Sequence, residues 1–299
     1  MAEGQELSTD LQGNQGTLKD RTVIVTGAGR GIGREIALAF AKAGANVACV
    51  SRTASELDAT VAVIETSTMG HGLAVVVDVS TPGAMQMIHE TVVEAFGPVC
   101  VIINNAGIDK INTVEHEKDF DSWWRVLEVN LRGPVALIHE VLPAMLSRGE
   151  GVIISIGSRN AVMNIPFMTA YSASKTALLR FHHCLELETR GRGVFNYFVQ
   201  PGDVATTLTH GEGVIDFNTV DQVPQLRKML EETVGSSITP AALVAELCVK
   251  LIVDERARVL SGRYIDAQQD IRRIIRVLSG ELKCDGDSSK LYTLTMPRI

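Results

Sequence analysis

The sequence predicts an α/β fold built on one doubly wound, mostly parallel sheet, and three observations lead there. From Arg21 onward, short apolar runs alternate with longer segments of helical period. The short runs are continuously apolar rather than alternating, as in strands covered on both faces. The first run breaks into a glycine-rich turn and then a helix, the order that opens a right-handed βαβ unit.

In chain order, TVIVT (22–26) reads as a buried strand and Gly31–Ala43 as an amphipathic helix ending near Gly44. NVACV (46–50) is the second strand, Ser55–Ser67 the next helix, and LAVVVDV (73–79) the third strand. A helix over Gly83–Phe96 leads to strand VCVIIN (99–104), then a long helical stretch from about Phe120 to Ser147. GVIISI (151–156) and VFNYFVQ (194–200) repeat the strand signal around a helix near Ala170–Arg190. Helix Pro240–Val253 and a short strand near Gly262–Ile265 complete the pattern. Residues 205–238 are long for a βα connection, as in a lid that covers a site or a disordered stretch, and are read as a lid. Residues 1–17 read as a polar tail and 18–266 as a single domain. Residues 267–299 read as a C-terminal extension opening on the basic segment DIRRIIRVL.

Composition narrows the function classes. Hydrophobic content of 45% with 21% charged residues supports a sizeable core and argues against extensive disorder. A net charge of −7 leaves no basic footprint for nucleic acid or an anionic membrane. The five cysteines (Cys49, Cys100, Cys184, Cys248, Cys284) are widely spaced, which fits reduced structural thiols. The seven histidines show no ligand spacing, so no metal is expected, and His182-His183 read as surface or interface residues. With no long apolar window and no apolar N-terminal segment, a cytoplasmic protein is the default reading.

The first strand runs into Thr26-Gly27-Ala28-Gly29-Arg30-Gly31-Ile32-Gly33. Such a turn lets backbone approach a pyrophosphate, and the following helix N-terminus presents free N–H groups to it. The pattern is TGxxxGxG, not the GxGxxG spacing. Further on come NNAG (104–107), Asn130, Ser158, Tyr171-xxx-Lys175 and Pro201-Gly202, in that order. This ordered set resembles the single-domain branch of the short-chain dehydrogenase/reductase family over roughly residues 18–266. The resemblance implies a Rossmann-like fold and a nicotinamide cofactor. It implies that Gly27, Gly31, Ile32 and Gly33 cradle the cofactor and that Asp78 and Val79 contact its adenine. Asn105, Ala106 and Gly107 would lie beside the adenosine half, and Pro201, Gly202, Val204 and Thr206 at the carboxamide end. Turn chemistry at the asparagines and a strand-end cap at Asp78 are the plainer alternatives.

The end of the second strand bears on cofactor choice. An acidic residue there would accept hydrogen bonds from a ribose 2′-hydroxyl. This chain has Ser51-Arg52 instead, with Arg30 inside the glycine turn, so two guanidinium groups can flank a 2′-phosphate. A charge-assisted hydrogen bond contributes roughly 1.5–3 kcal/mol, or about a ten- to hundredfold preference. NADP(H) is therefore expected and NAD is the less favoured cofactor.

Tyr171 and Lys175 are four apart on a predicted helix and share one face. A tyrosine pKa near 10 suits neutral proton exchange poorly. A neighbouring ammonium favours the phenolate, and lowering the pKa by about three units takes roughly 4 kcal/mol. Tyr171 would then act as general acid or base. By the resemblance, Ser158 orients the substrate oxygen, Asn130 anchors a water near Lys175, and Lys175 also holds the cofactor, as does Tyr171. Ser155 is a competing serine, but it sits inside a strand. Met163, Ile165 and Phe167 suggest a mostly apolar substrate, cyclic or aromatic, or else packing against the lid; Asp109 is a further residue that could face the pocket.

The resemblance also implies a homodimer or homotetramer through helices near 120–147 and 169–190. Where the family often ends in a VDGG-like strand, this chain reads Ile265-Asp266-Ala267-Gln268-Gln269, which puts the usual C-terminal contacts in question. The tail resembles fungal family members, which suggests a tailoring role in secondary metabolism. A non-catalytic NADP(H)-sensing protein on the same fold is the alternative reading.

Overall fold

A computed structural model describes residues 16–204, Leu208, 213–233 and 239–282. Seven parallel strands form one sheet in the order β3-β2-β1-β4-β5-β6-β7. The first three are β1 (Thr22–Thr26), β2 (Asn46–Ser51) and β3 (Gly72–Val76). They are followed by β4 (Val99–Asn104), β5 (Gly151–Ile156), β6 (Val194–Gln200) and β7 (Tyr264–Asp266). All five residues of β1 are buried, as a central parallel strand requires. The order reverses between β1 and β4, so the crevice at their carboxyl ends is the topological switch point of a Rossmann-like sheet.

Helices α1 (Gly31–Lys42), α2 (Ala54–Ser67) and α3 (Ala84–Phe96) make the first crossovers. The long helix expected from Phe120 is broken. Helix α4 (Phe120–Leu127) passes into a π-helical turn, Glu128–Arg132, and then α5 (Gly133–Arg148). The wider turn places Asn130, fully buried, against the loop after β4. Helix α6 (Thr169–Thr189) lies between β5 and β6. The described part of the lid folds as α7 (Phe217–Gln222) and α8 (Pro224–Thr233), and α9 (Ala241–Val253) precedes β7.

Two expectations need adjustment. The third strand stops at Val76 because β2, its one partner, pairs only as far as Ser51↔Val76, so residues 77–79 leave the sheet toward the crevice. Past β7, α10 (Ile271–Leu278) buries Ile271, Ile274 and Ile275 in the same core cluster as β1 and α9. The apolar stripe of this basic helix is thus an integral part of the packing.

Candidate active site

The crevice holds a cavity of about 360 Å³, floored by the glycine turn and ending at Tyr171 and Lys175. Gly27, Gly31, Ile32, Ser51, Asn105, Ala106 and Gly107 line its nucleotide half. The turn is built on close backbone approach. A Cβ on Gly33 would lie 2.2 Å from the Gly27 carbonyl oxygen and 2.4 Å from Asn105 Nδ2, and Gly27 has φ +69°. Only glycine fits such a cradle. The N-cap of α1 is Arg30, which makes no side-chain cap bond, and the first turn carries no acidic residue. The free N–H groups at this helix end therefore fit a pyrophosphate, with the positive end of the helix dipole behind them.

Thr26 ties this floor to the NNAG segment. Its Oγ1 accepts from the N–H groups of Asn105 and Ala106, both at 3.0 Å. Asn105 Nδ2 in turn donates to the carbonyls of Thr26 (3.0 Å) and Gly27 (3.3 Å). Asn105 thus braces the turn, whereas Asn104, almost fully buried, turns its Nδ2 to Ser155 Oγ.

The adenosine end is a set of interlocked charges. Arg30 reaches Glu56 at 3.4 Å and Arg52 reaches Asp78 at 3.7 Å, with both guanidinium side chains mostly exposed. Asp78 uses its other contacts on Ser80 N (2.9 Å), Ser80 Oγ (2.6 Å) and Arg125 Nη2 (2.6 Å). Burial works to raise the Asp78 carboxyl, but the Ser80 hydrogen bonds and the charges of Arg125 and Arg52 hold it below the usual range. Asp78 and Val79 do line the cavity. Glu56 and Arg125 were not singled out by sequence reasoning. Neither belongs to a spaced motif, and only the packing of α2 and α4 brings them to this end.

At the other end, Lys175 Nζ donates to the Ile156 carbonyl at 2.8 Å and lies 5.5 Å from the centre of the Tyr171 ring. Both side chains are buried. Ser158 follows β5, accepts from Asn160 N at 3.2 Å and donates to Asn160 Oδ1 at 3.1 Å. Of the groups around the Tyr171 phenol, Ser158 is the one that favours the phenolate. Asn130 clamps the loop after β4: Oδ1 accepts from Ile108 N (2.9 Å) and Nδ2 donates to Ile108 O (2.8 Å). Nδ2 also reaches Ser174 Oγ (3.2 Å), which donates to the Tyr171 carbonyl (2.7 Å). Asn130 is thus joined by hydrogen bonds to the helix that carries Tyr171 and Lys175.

The expected fall in the Tyr171 pKa does not occur in this structure. Burial of the phenol pushes it up, the nearby Asp109 carboxylate pushes it further, and Ser158 opposes only part of this. Burial lowers Lys175 to about 8 against the opposing pull of Asp109. Asp109 itself is raised to about 7 by burial, against the Lys110 amide and the Lys175 charge. Asp109, Tyr171 and Lys175 therefore share one buried ionisable cluster.

Pro201 lines the cavity, Gly202 packs against Thr239, and Val204 is half-buried against the main core. Thr206 lies outside the described residues. Arg159 forms a two-pronged pair with Asp203 at 3.0 Å on each prong, joining the Ser158 segment to the Pro201 segment. Gln268, in place of a glycine, donates to Thr239 Oγ1 at 3.0 Å and so ties the residues after β7 to this end. Phe167 and Met168 pack with the lid residues Val220, Leu226 and Met229, whereas Met163 is exposed and Ile165 half-buried.

The reading of His182 as a surface residue is overturned. Residues 171, 175, 178 and 182 share the inner face of α6, so His182 is fully buried against the sheet. Its Nε2 meets Ser155 Oγ at 2.7 Å and its Nδ1 meets Asn196 Oδ1 at 2.9 Å. Asn196 Nδ2 donates to Glu186, so its Oδ1 accepts from Nδ1–H and Ser155 donates to Nε2. Burial lowers His182 to about 4, which keeps the ring neutral. Ser155 is thereby committed to the core, with Asn104 Nδ2 at 3.3 Å.

Comparison with known proteins follows this geometry. The short chain dehydrogenase family model matches residues 21–213. A short chain dehydrogenase of Pseudocercospora fijiensis is 39% identical over 87% of this chain and 84% of its own length. The short chain dehydrogenase mpl6 of Monascus purpureus is 30% identical over 85% of this chain and 83% of its own. Among solved structures, levodione reductase superposes with a TM-score of 0.72 at 25% identity, covering 83% of this chain and 96% of that one. The family model spans most of the sheet and the Pseudocercospora relative matches along more than four fifths of the chain, so the protein belongs to the short-chain dehydrogenase/reductase family.

Proposed function

We propose that this enzyme is an NADP(H)-dependent oxidoreductase acting on a carbonyl or secondary alcohol of a mostly apolar substrate, cyclic or aromatic. The observation that carries the reading is the convergence of buried Tyr171 and Lys175, within the influence of Ser158, at one end of a glycine-floored cavity. Bound NADPH would supply the hydride, held by the Gly27–Gly33 turn, the NNAG segment and Lys175. In the reduction direction Tyr171 Oη gives its proton to the substrate oxygen, and Ser158 Oγ donates a hydrogen bond to the same oxygen as charge builds there. Lys175 stabilises the resulting phenolate, and Asn130 fixes the loop that faces it. In oxidation the same proton moves back.

NADP(H) preference rests on Arg30 and Arg52 at the open end, where a 2′-phosphate competes with Glu56 and Asp78 for them. The apolar wall of Ile108, Trp123, Met168 and Leu208 around Tyr171 supports a substrate with little charge. The resemblance to a protein named levodione reductase fits a carbonyl substrate, and the fungal relatives fit a tailoring role in secondary metabolism. No described helix is long and apolar enough to cross a membrane, consistent with a cytoplasmic enzyme. The exposed Phe120 and Trp124, stacked with Trp123 on α4, suit a homodimer or homotetramer interface. The test is cofactor oxidation followed spectroscopically with ketones, quinones and cyclic diketones. Turnover with NADPH at least about tenfold above NADH supports the reading. Tight NADPH binding with no turnover on any of them favours a sensing role instead.

A further inference from the structure

Asp109 stands apart from every motif of the family resemblance, yet the fold fixes it beside the chemistry. It directly follows Ile108, whose N–H and carbonyl are both clamped by Asn130. On its other side, Ile111 N donates to the Val214 carbonyl of the lid at 2.8 Å, and Asn112 N donates to the Phe167 carbonyl at 2.9 Å. The loop is therefore pinned at both ends, and the Asp109 side chain is buried between them.

Its carboxylate is also under-used. Oδ1 accepts from Lys110 N at 2.7 Å, while Oδ2 has no hydrogen-bond partner among the described residues. Other cations of this loop and of the lid are paired elsewhere: Lys110 with Glu117 at 3.0 Å, and Arg227 on α8 with Asp221 at 2.8 Å. Arg125 on α4 is drawn to Asp78 and Glu128. Among the described residues, Tyr171 and Lys175 are the ionisable groups that feel the Asp109 charge. A buried carboxylate with a free oxygen is costly unless a neighbouring charge compensates it.

We propose that Asp109 is a positioning residue of the proton-handling site, whose carboxylate holds Lys175 as ammonium and Tyr171 as phenol, so that carbonyl reduction keeps its proton donor to more alkaline pH. The signs agree. A negative charge disfavours a second negative charge on Tyr171 and favours the positive charge on Lys175. Asp109 itself is ionised above about pH 7, so its charge is in place across the alkaline range in which a tyrosine loses its proton. A merely structural aspartate would make no such demand on Tyr171.

The inference rests on the reading of Tyr171 as the proton donor, so its test begins without turnover. Phenolate absorbance is titrated in wild type and in Asp109→Asn, each corrected with the matching Tyr171→Phe protein to isolate the Tyr171 step. Asp109→Asn keeps the side-chain size, and its melting temperature reports whether the fold is intact. The step should move to lower pH by about 1 unit or more. The alkaline limb of kcat for ketone reduction should move with it, and Asp109→Glu should restore both. An unmoved step, one beyond the accessible pH range in both proteins, or a loss of kcat equal at every pH overturns the proposal. A shifted step in a protein whose turnover is indifferent to Tyr171→Phe keeps the Asp109 coupling and rejects the reading of Tyr171 instead.

Discussion

The two ends of the crevice are built from different materials. The nucleotide end is made of backbone: glycines that admit no Cβ, a helix N-terminus, and a threonine that staples NNAG to β1. Its charges, Arg30 and Arg52, sit in water and pair only loosely. The proton-handling end is made of buried side chains, and there burial outweighs every pairwise attraction on Tyr171. Electrostatic effects at the first end are screened and modest, whereas at the second each charge shifts its neighbours.

Substitutions at the two ends should separate binding from chemistry, and the largest effects should come from the buried end. Ser158→Ala removes the donor to the substrate oxygen and should lower kcat by about 10²–10³ with NADPH affinity unchanged. A matched fall in NADPH affinity would show that the ends are not separable. Next in size, Arg52→Ala or Arg30→Ala should raise the Kd for NADPH by about tenfold or more, leave that for NADH nearly constant, and spare kcat. Titration calorimetry with both cofactors reads this directly.

A smaller effect is expected from His182→Leu, which strands Ser155 and Asn196 in the core. Urea unfolding should show a loss of roughly 1–3 kcal/mol at pH 7. The pH dependence adds a second check. His182 titrates near 6.5 when unfolded and at about 4 when folded, so the unfolded chain binds the extra proton between these values. Stability from the neutral ring is therefore full above pH 6.5 and is lost as pH falls toward about 4. The variant should lack that part of the acid sensitivity. Last, Arg159→Ala breaks an exposed pair with Asp203 and should change stability by at most about 1 kcal/mol.

What the sequence made legible follows the same division. Strand limits at 22–26, 99–104, 151–156 and 194–200 coincide with the structure because buried parallel strands write themselves as unbroken apolar runs. The glycine turn was readable because a close backbone approach leaves few residue choices. The π-turn at Glu128–Arg132 left no periodic signal, since one wide turn inside a helix keeps the same residue types. Two adjacent histidines on a helix suggest an exposed pair, whereas the spacing of seven between Lys175 and His182 places both on the buried face. Asp109 stands in the sequence only as a residue that could face the pocket. Its weight comes from burial and from charges carried by α6, neither of which has a spacing along the chain.

The account turns on Tyr171 as the group that moves the proton. Tyr171→Phe should therefore be compared with wild type in single-turnover ketone reduction and in NADPH binding by fluorescence. A fall of about 10²–10⁴ in the rate, with NADPH affinity held within a factor of a few, is the predicted result. Equal rates in the two proteins would contradict it and would require another proton donor in the same buried cluster.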